Sequence, residues 1–311
     1  MKRFLRNVLL LAGIVLLLVY ALPMAVVAPQ FLGHYTAALN TKVERLRSVN
    51  EPKIILIGNS NLIYGMDSAL LETLTGMPVV NMGFHGGMGN AFHERMARLN
   101  TNAGDIVIVS HLTYADDGKI QDANLIWPTL ENHFSLYRLM RAQDLAPMAN
   151  AYPKYLKDAF RCYVTGTGNR QSEWGLFRTS AFNEWGDIFV ERTHQALDWT
   201  VKLPMPEIND TCTNRLNRLN RYVHKQGATL LVAGFPIYYQ NEPGAKESLA
   251  AFDDALQAAL DCAVISDFSE YLYPPELFYD TEFHLTSEGA EIRTRQLARD
   301  ILAWRATQAE E

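Results

Sequence analysis

The segment Ile54-Ile55-Leu56-Ile57-Gly58-Asn59-Ser60-Asn61 decides how the rest of the chain is read. Four aliphatic residues in a row, with no polar alternation, suit a strand buried on both faces, as in a parallel sheet. Gly58 closes the run, and small polar residues follow at the turn. Outward from it, Asp67 caps an expected helix through Leu74, and residues 78–82 form a second strand ahead of the glycine-rich segment 83–89. A helix is expected over 90–99 and a third strand over 105–110. Beyond a gap, Asp210–Lys225 reads as a helix with Asp210 as N-cap and Gly227 as its stop. Strands at 229–234 and 263–266 then alternate with helices at 245–260 and 287–303. Strands separated by helices of this length predict an α/β fold with a doubly wound parallel sheet.

The gap at about 114–205 shows no βα rhythm but carries Trp127, Trp174, Trp185 and Trp199. A structureless loop of that size is improbable in a compact domain, so a largely helical insertion over the sheet is expected. Its tryptophans serve either core packing or an acceptor groove.

At the other end, Lys2, Arg3 and Arg6 precede an uncharged stretch over 8–28. As a helix it is about 30 Å long, enough to cross a bilayer core. The basic start places the N-terminus inside and everything after Ala28 outside the cytoplasm. A cleaved signal peptide is the competing reading; the long apolar run and the lack of a small-x-small site favour an anchor. The expected organisation is therefore an anchor over 1–30, a juxtamembrane stalk or helix over 31–51, a domain over 52–304 and a solvated tail over 305–311. Net charge is −6 with no basic cluster, which argues against a nucleic-acid partner. Cys162, Cys212 and Cys262 lack metal spacing and read as one disulfide plus a thiol, or as three thiols.

In an open α/β sheet, ligands sit beyond the carboxyl ends of the strands. Three segments fall there: 58–61, 81–87 and 280–284. A serine at a strand-to-helix turn is exposed beside helix N–H groups that can face an oxyanion. It needs a base within hydrogen-bond reach and an acid to orient that base. Ser60, His284 and Asp280 satisfy these types and positions, although Ser60 also suits a plain helix cap and His284 a helix entry. The glycine spacing Gly83-x-x-Gly86-Gly87-x-Gly89 departs from a dinucleotide fingerprint, and Asp105 begins its strand where the ribose acid should end one. His85, His111, His133 and the Asp116-Asp117 pair show no ligand spacing, so no metal and no cofactor are expected.

Together, Gly58-Asn59-Ser60-Asn61, the stretch from Asn81 to Gly86, and Asp280 to His284 followed by Leu285, Thr286 and Gly289 resemble blocks I, II and V of the SGNH/GDSL hydrolases. The resemblance covers about 52–113 and 210–304. It implies a three-layer flavodoxin-like SGNH fold, an acyl-Ser60 intermediate, His284 as base, Asp280 as acid, and an oxyanion hole from the N–H groups of Ser60 and Gly86. In particular the chain is similar to the anchored envelope branch associated with membrane-bound O-acyltransferases. That implies a serine esterase or O-acyltransferase acting on acyl, especially acetyl, groups of cell-envelope glycans or related polymers. Three features depart from the pattern. Asn59 replaces an aspartate, the acid-to-base spacing is one residue longer with Glu282 as the alternative acid, and Ser110-His111-Leu112-Thr113-Tyr114 lacks the block III asparagine. Asn61 or Thr113 is then the expected side-chain helper in the oxyanion hole. The missing asparagine also motivates another reading, a catalytically weak accessory subunit that positions a glycan or docks on a membrane acyltransferase.

Overall fold

A computed structural model describes residues 1–131, 133–168, 176–196, 207–239 and 243–310. The apolar start is one continuous helix, α1 (Lys2–Val27), long and apolar enough to cross a membrane. It is followed by α2 (Ala38–Ser48), β1 (Ile54–Gly58), α3 (Ser60–Tyr64), α4 (Ser68–Thr75) and β2 (Val79–Asn81). Next come α5 (Asn90–Met96), β3 (Ile106–Ser110), α6 (Ile126–Leu130), α7 (Leu145–Thr165) and α8 (Asp210–Lys225). The chain ends with β4 (Thr229–Val232), β5 (Ile237–Tyr238), α9 (Ala245–Ala259), β6 (Ala263–Val264), β7 (Leu272–Tyr273) and α10 (Ser287–Glu310).

The main sheet has five strands in the order β2-β1-β3-β4-β6, all parallel. β5 and β7 form a small separate pair. Side-chain alternation along β1 splits the core in two. Ile55 and Ile57 join Val107 and Val109 against Leu39, Phe92 and Leu216 on one face. Ile54 and Leu56 join Ile106 and Ile108 against Leu71, Leu297 and Ile301 on the other. Strand order reverses between β1 and β3, and such a switch point opens a crevice at the strands' carboxyl ends. β1 and β3 end in register, Gly58 beside Ser110. A Cβ on Gly58 would strike the Ser110 carbonyl oxygen, so this close approach requires glycine.

Several sequence expectations shift. Residues 31–51 are no stalk: α2 buries Leu39, Val43 and Leu46 in the main core, because its apolar positions recur at helical spacing and its helix lies against β2. The cap of α8 is Asn209, whose side chain accepts from Cys212 N–H, with Asp210 one position inside the helix. α10 runs past residue 303 to Glu310, since no glycine or proline interrupts it and Trp304 packs on the core. The insertion is helical only in part. After α7, residues 176–196 run without an α-helix and turn back to the sheet's carboxyl edge. Trp127 is a core residue donating to the Met148 carbonyl, and Trp185 donates to Glu72. Trp174 and Trp199 lie outside the described residues. The three cysteines are separate thiols.

Candidate active site

Ser60 is the first residue of α3, directly after β1. Asn59 caps that short helix: its Oδ1 accepts from the N–H of Asn61 at 3.0 Å and from the Asn61 side-chain amide at 2.8 Å. Only an acceptor is used, so asparagine does here what an aspartate would do. The cap leaves Ser60 N–H outside the helix ladder, and no described residue accepts from it.

His284 reaches Ser60 across the switch-point crevice. Its Nε2 is 3.0 Å from Ser60 Oγ, and its Nδ1 is 2.7 Å from Asp280 Oδ1. A carboxylate only accepts, so Nδ1 carries the ring hydrogen and Nε2 is free to accept the serine proton. The four-residue spacing is accommodated by a small hairpin. Phe278 bridges Leu285, Tyr279 N–H donates to the His284 carbonyl at 2.8 Å, and Thr281 Oγ1 accepts from the N–H groups of Phe283 and His284. The structure thus brings Ser60, His284 and Asp280 together, while Glu282 makes no contact with His284 among the described residues.

The glycine-rich loop forms the facing wall. Asn81 Oδ1 accepts from Gly83 N–H, and its amide donates to the Leu62 carbonyl of α3 and to Asp187. The buried Lys42 ammonium donates to the Gly83 and Gly186 carbonyls at 2.7 and 2.6 Å. Burial pushes the Lys42 amine down to about 7. These bonds fix the loop so that a Cβ on Gly86 would stand 3.8 Å from that of Asn59. No described residue accepts from Gly86 N–H, so it and Ser60 N–H are both available donors beside the nucleophile turn.

The expected side-chain helpers do not serve. The Asn61 amide is buried and committed to Asn59 and the Ser110 carbonyl. Thr113 does not line the Ser60 cavity, and its hydroxyl accepts from Ala115 N–H in its own turn. Ser110 donates to the Gly234 carbonyl, and His111 pairs with Glu94, so the segment after β3 supplies no donor to Ser60. Their short polar groups are taken up by local backbone and buried partners, a claim on them that sequence spacing does not reveal.

Four residues were missed as site members. Tyr64 stacks on the His284 ring with centroids 3.9 Å apart. Arg192, buried, donates to the Tyr64, Ile188 and Leu285 carbonyls and ties α3 to the histidine hairpin. Arg293 on α10 donates to the Asn61 carbonyl, to Ser110 and to Gly234 from behind the nucleophile turn. It sits on the helix stripe with Ala290, Leu297 and Ile301, and a charge at a core position of that stripe was the available signal. His85 lines one cavity with Ser60 and His284. Its Nδ1 accepts from Gly87 N–H at 3.0 Å, which leaves Nε2 as the ring's N–H donor. Burial and the nearby His284 hold its imidazole below the usual histidine range, so it stays neutral.

That cavity, about 100 Å³, is also lined by Tyr35 and Tyr64, and its remaining side chains, Ile63, Leu176, Phe177, Phe182 and Ile188, are apolar. No cluster of metal-ligating side chains occurs among the described residues. No family model, no curated protein and no solved structure matches the chain.

Proposed function

We propose that the protein is an SGNH-type serine esterase or O-acyltransferase that works through an acyl-Ser60 intermediate. The observation that carries this is the hydrogen-bonded chain Asp280, His284, Ser60, at 2.7 and 3.0 Å. Ser60 Oγ attacks the ester carbonyl as its proton passes to His284 Nε2. The carbonyl oxygen gains charge opposite the N–H groups of Ser60 and Gly86. The ester C–O bond then breaks, and His284 gives the proton to the departing alkoxide. In the second half His284 takes the proton of an acceptor hydroxyl as its oxygen attacks the acyl-serine carbonyl; the bond to Ser60 Oγ then breaks, and His284 returns the proton to that oxygen. Water as acceptor gives hydrolysis; a glycan hydroxyl gives transfer.

A cavity of about 100 Å³ has room for roughly three groups the size of a water. That supports acetyl or a similarly short acyl group. The polymer is proposed to be a cell-envelope glycan, because α1 supports a single-pass anchor with the domain outside the cytoplasm. α7 packs on the end of that helix, where its Tyr152 donates to the Tyr20 carbonyl; Tyr137, ahead of α7, donates to Met24. Leu22, Val26, Leu156 and Phe160 line an apolar groove of about 630 Å³ between them. Tyr35 of the Ser60 cavity follows Val27 by eight residues, a reach of no more than about 30 Å. On this reading the nucleophile works close to the membrane surface, where a membrane-bound O-acyltransferase is a fitting partner.

The segment after β3, which turns no donor toward Ser60, favours a second reading, an accessory subunit with little catalysis. Labelling with a serine-reactive fluorophosphonate separates the two. The active enzyme is labelled and Ser60→Ala is not. An unlabelled wild-type protein, or labelling that survives the substitution, removes the nucleophile.

A further inference from the structure

A second cavity, about 340 Å³, shares no lining residue with the one at Ser60. Five arginines line it: Arg95 on α5, Arg98 just beyond it, Arg141 in the insertion, and Arg215 and Arg218 on α8. Two are compensated. Arg215 pairs with Glu94 at 2.7 Å and Asp116 at 2.8 Å, and Arg95 pairs with Asp144 at 3.1 Å. Asp117 on the rim is already taken by Lys119.

Arg98, Arg141 and Arg218 have no carboxylate partner among the described residues; Arg98 lies over the Tyr222 ring at 4.4 Å. With the three pairing acids counted, the wall keeps a net double positive charge. Burial and the neighbouring Arg141 and Arg218 guanidinium groups lower Arg98, a sign that the like charges face one another. Two guanidinium donors, Arg95 Nε and Arg215 Nη1, are buried with no partner. The second lies 2.8 Å from where a Cβ on Gly118, another lining residue, would stand.

A purely structural ion network would pair its cations. Here three of the five, Arg98, Arg141 and Arg218, converge without a carboxylate partner among the described residues around a space of small-molecule size. Guanidinium groups present forked donors that match phosphate oxygens two at a time. We propose that this cavity binds a phosphate-bearing anion, a phosphate ester whose double negative charge balances the uncompensated arginines. Thr211 and Gln143 on the wall offer neutral donors for the body of the ester.

Calorimetric titration of the full chain in neutral detergent tests this, with inorganic phosphate, pyrophosphate, glycerol 3-phosphate and short-chain phosphatidic acid as probes at matched ionic strength. Saturable binding is expected, weakened at least tenfold in Arg98→Gln/Arg141→Gln/Arg218→Gln. Tighter binding of glycerol 3-phosphate identifies a soluble ester, and tighter binding of phosphatidic acid a lipid headgroup. Because the three residues reach the cavity rim, the variant should keep its circular dichroism and its fluorophosphonate labelling. No binding of any probe up to about ten millimolar, or unchanged binding in the folded variant, overturns the site. Neither result depends on Ser60.

Discussion

Tyr64 lies flat on His284, with the two ring planes 10° apart and their centroids 3.9 Å apart. The phenol ring therefore restrains the imidazole against swinging away from Ser60, and its π-face favours the imidazolium that forms as the serine proton moves. Such a contact is worth about 0.5–2 kcal/mol. Tyr64→Leu is expected to lower kcat/KM on an aryl acetate by roughly 2–30-fold, while Tyr64→Phe stays near wild type. Equal losses in the two variants would assign the effect to the hydroxyl and remove the stacking argument.

Asp280 accepts from His284 Nδ1 at 2.7 Å and so sets which nitrogen faces Ser60. Asp280→Asn offers an amide there and permits the wrong tautomer, for which a loss of about 10⁴ in kcat is the reference magnitude. Glu282→Gln should change little. The paired kcat measurements locate the orienting acid; a large effect of Glu282→Gln with a small one of Asp280→Asn would reverse the assignment.

His85 shares the Ser60 cavity as a neutral imidazole whose Nε2–H has no acceptor among the described residues. We propose it, ahead of the Tyr35 and Tyr64 hydroxyls of the same cavity, as the oxyanion donor in place of the absent asparagine. His85→Ala is expected to lower kcat about 10²-fold, within the range for one lost donor, with KM nearly unchanged. His85→Gln, which keeps a side-chain N–H, should recover part of the rate. A change confined to KM would instead make His85 a wall of the acyl pocket.

Stability should fall in acid through His93. This residue is fully buried and donates to the His85 carbonyl at 3.1 Å. Burial pushes its imidazole down to about 3 from an ordinary 6.5. Between those values the unfolded chain binds a proton that the folded chain excludes, so stability is lost as pH falls below about 6.5 and the loss levels off near 3. His93→Gln can keep the donor without titrating. Urea midpoints from pH 7 to 4 should therefore decline less steeply in the variant; equal slopes would place the acid sensitivity elsewhere.

The elements of the sheet were legible because their causes are local. Ile54 to Ile57 is an uninterrupted apolar run that only a doubly covered strand accommodates, and Asp67 marks its helix by a cap made within three residues. Ser60, Asp280 and His284 were also readable, since each lies at a strand end or a helix entry, where polar turn residues stand out from apolar runs. Whether they meet was left open by their types and positions, and contacts between distant segments bring them together. Ser60 meets His284 across 224 positions of sequence, and Arg293 reaches Asn61 across 232. Asn61 was misplaced as an oxyanion helper because its amide is taken by the Ser110 carbonyl on the neighbouring strand. The residues of α2 read as a juxtamembrane stalk or helix, and the sheet beside β2 supplies the surface that buries them. By itself, then, the sequence determined the strands of the main sheet, the apolar start and the serine at the turn after β1. Only the tertiary structure decided which donors remain free beside it, because a buried polar group is assigned by whichever partner packing brings within hydrogen-bond reach.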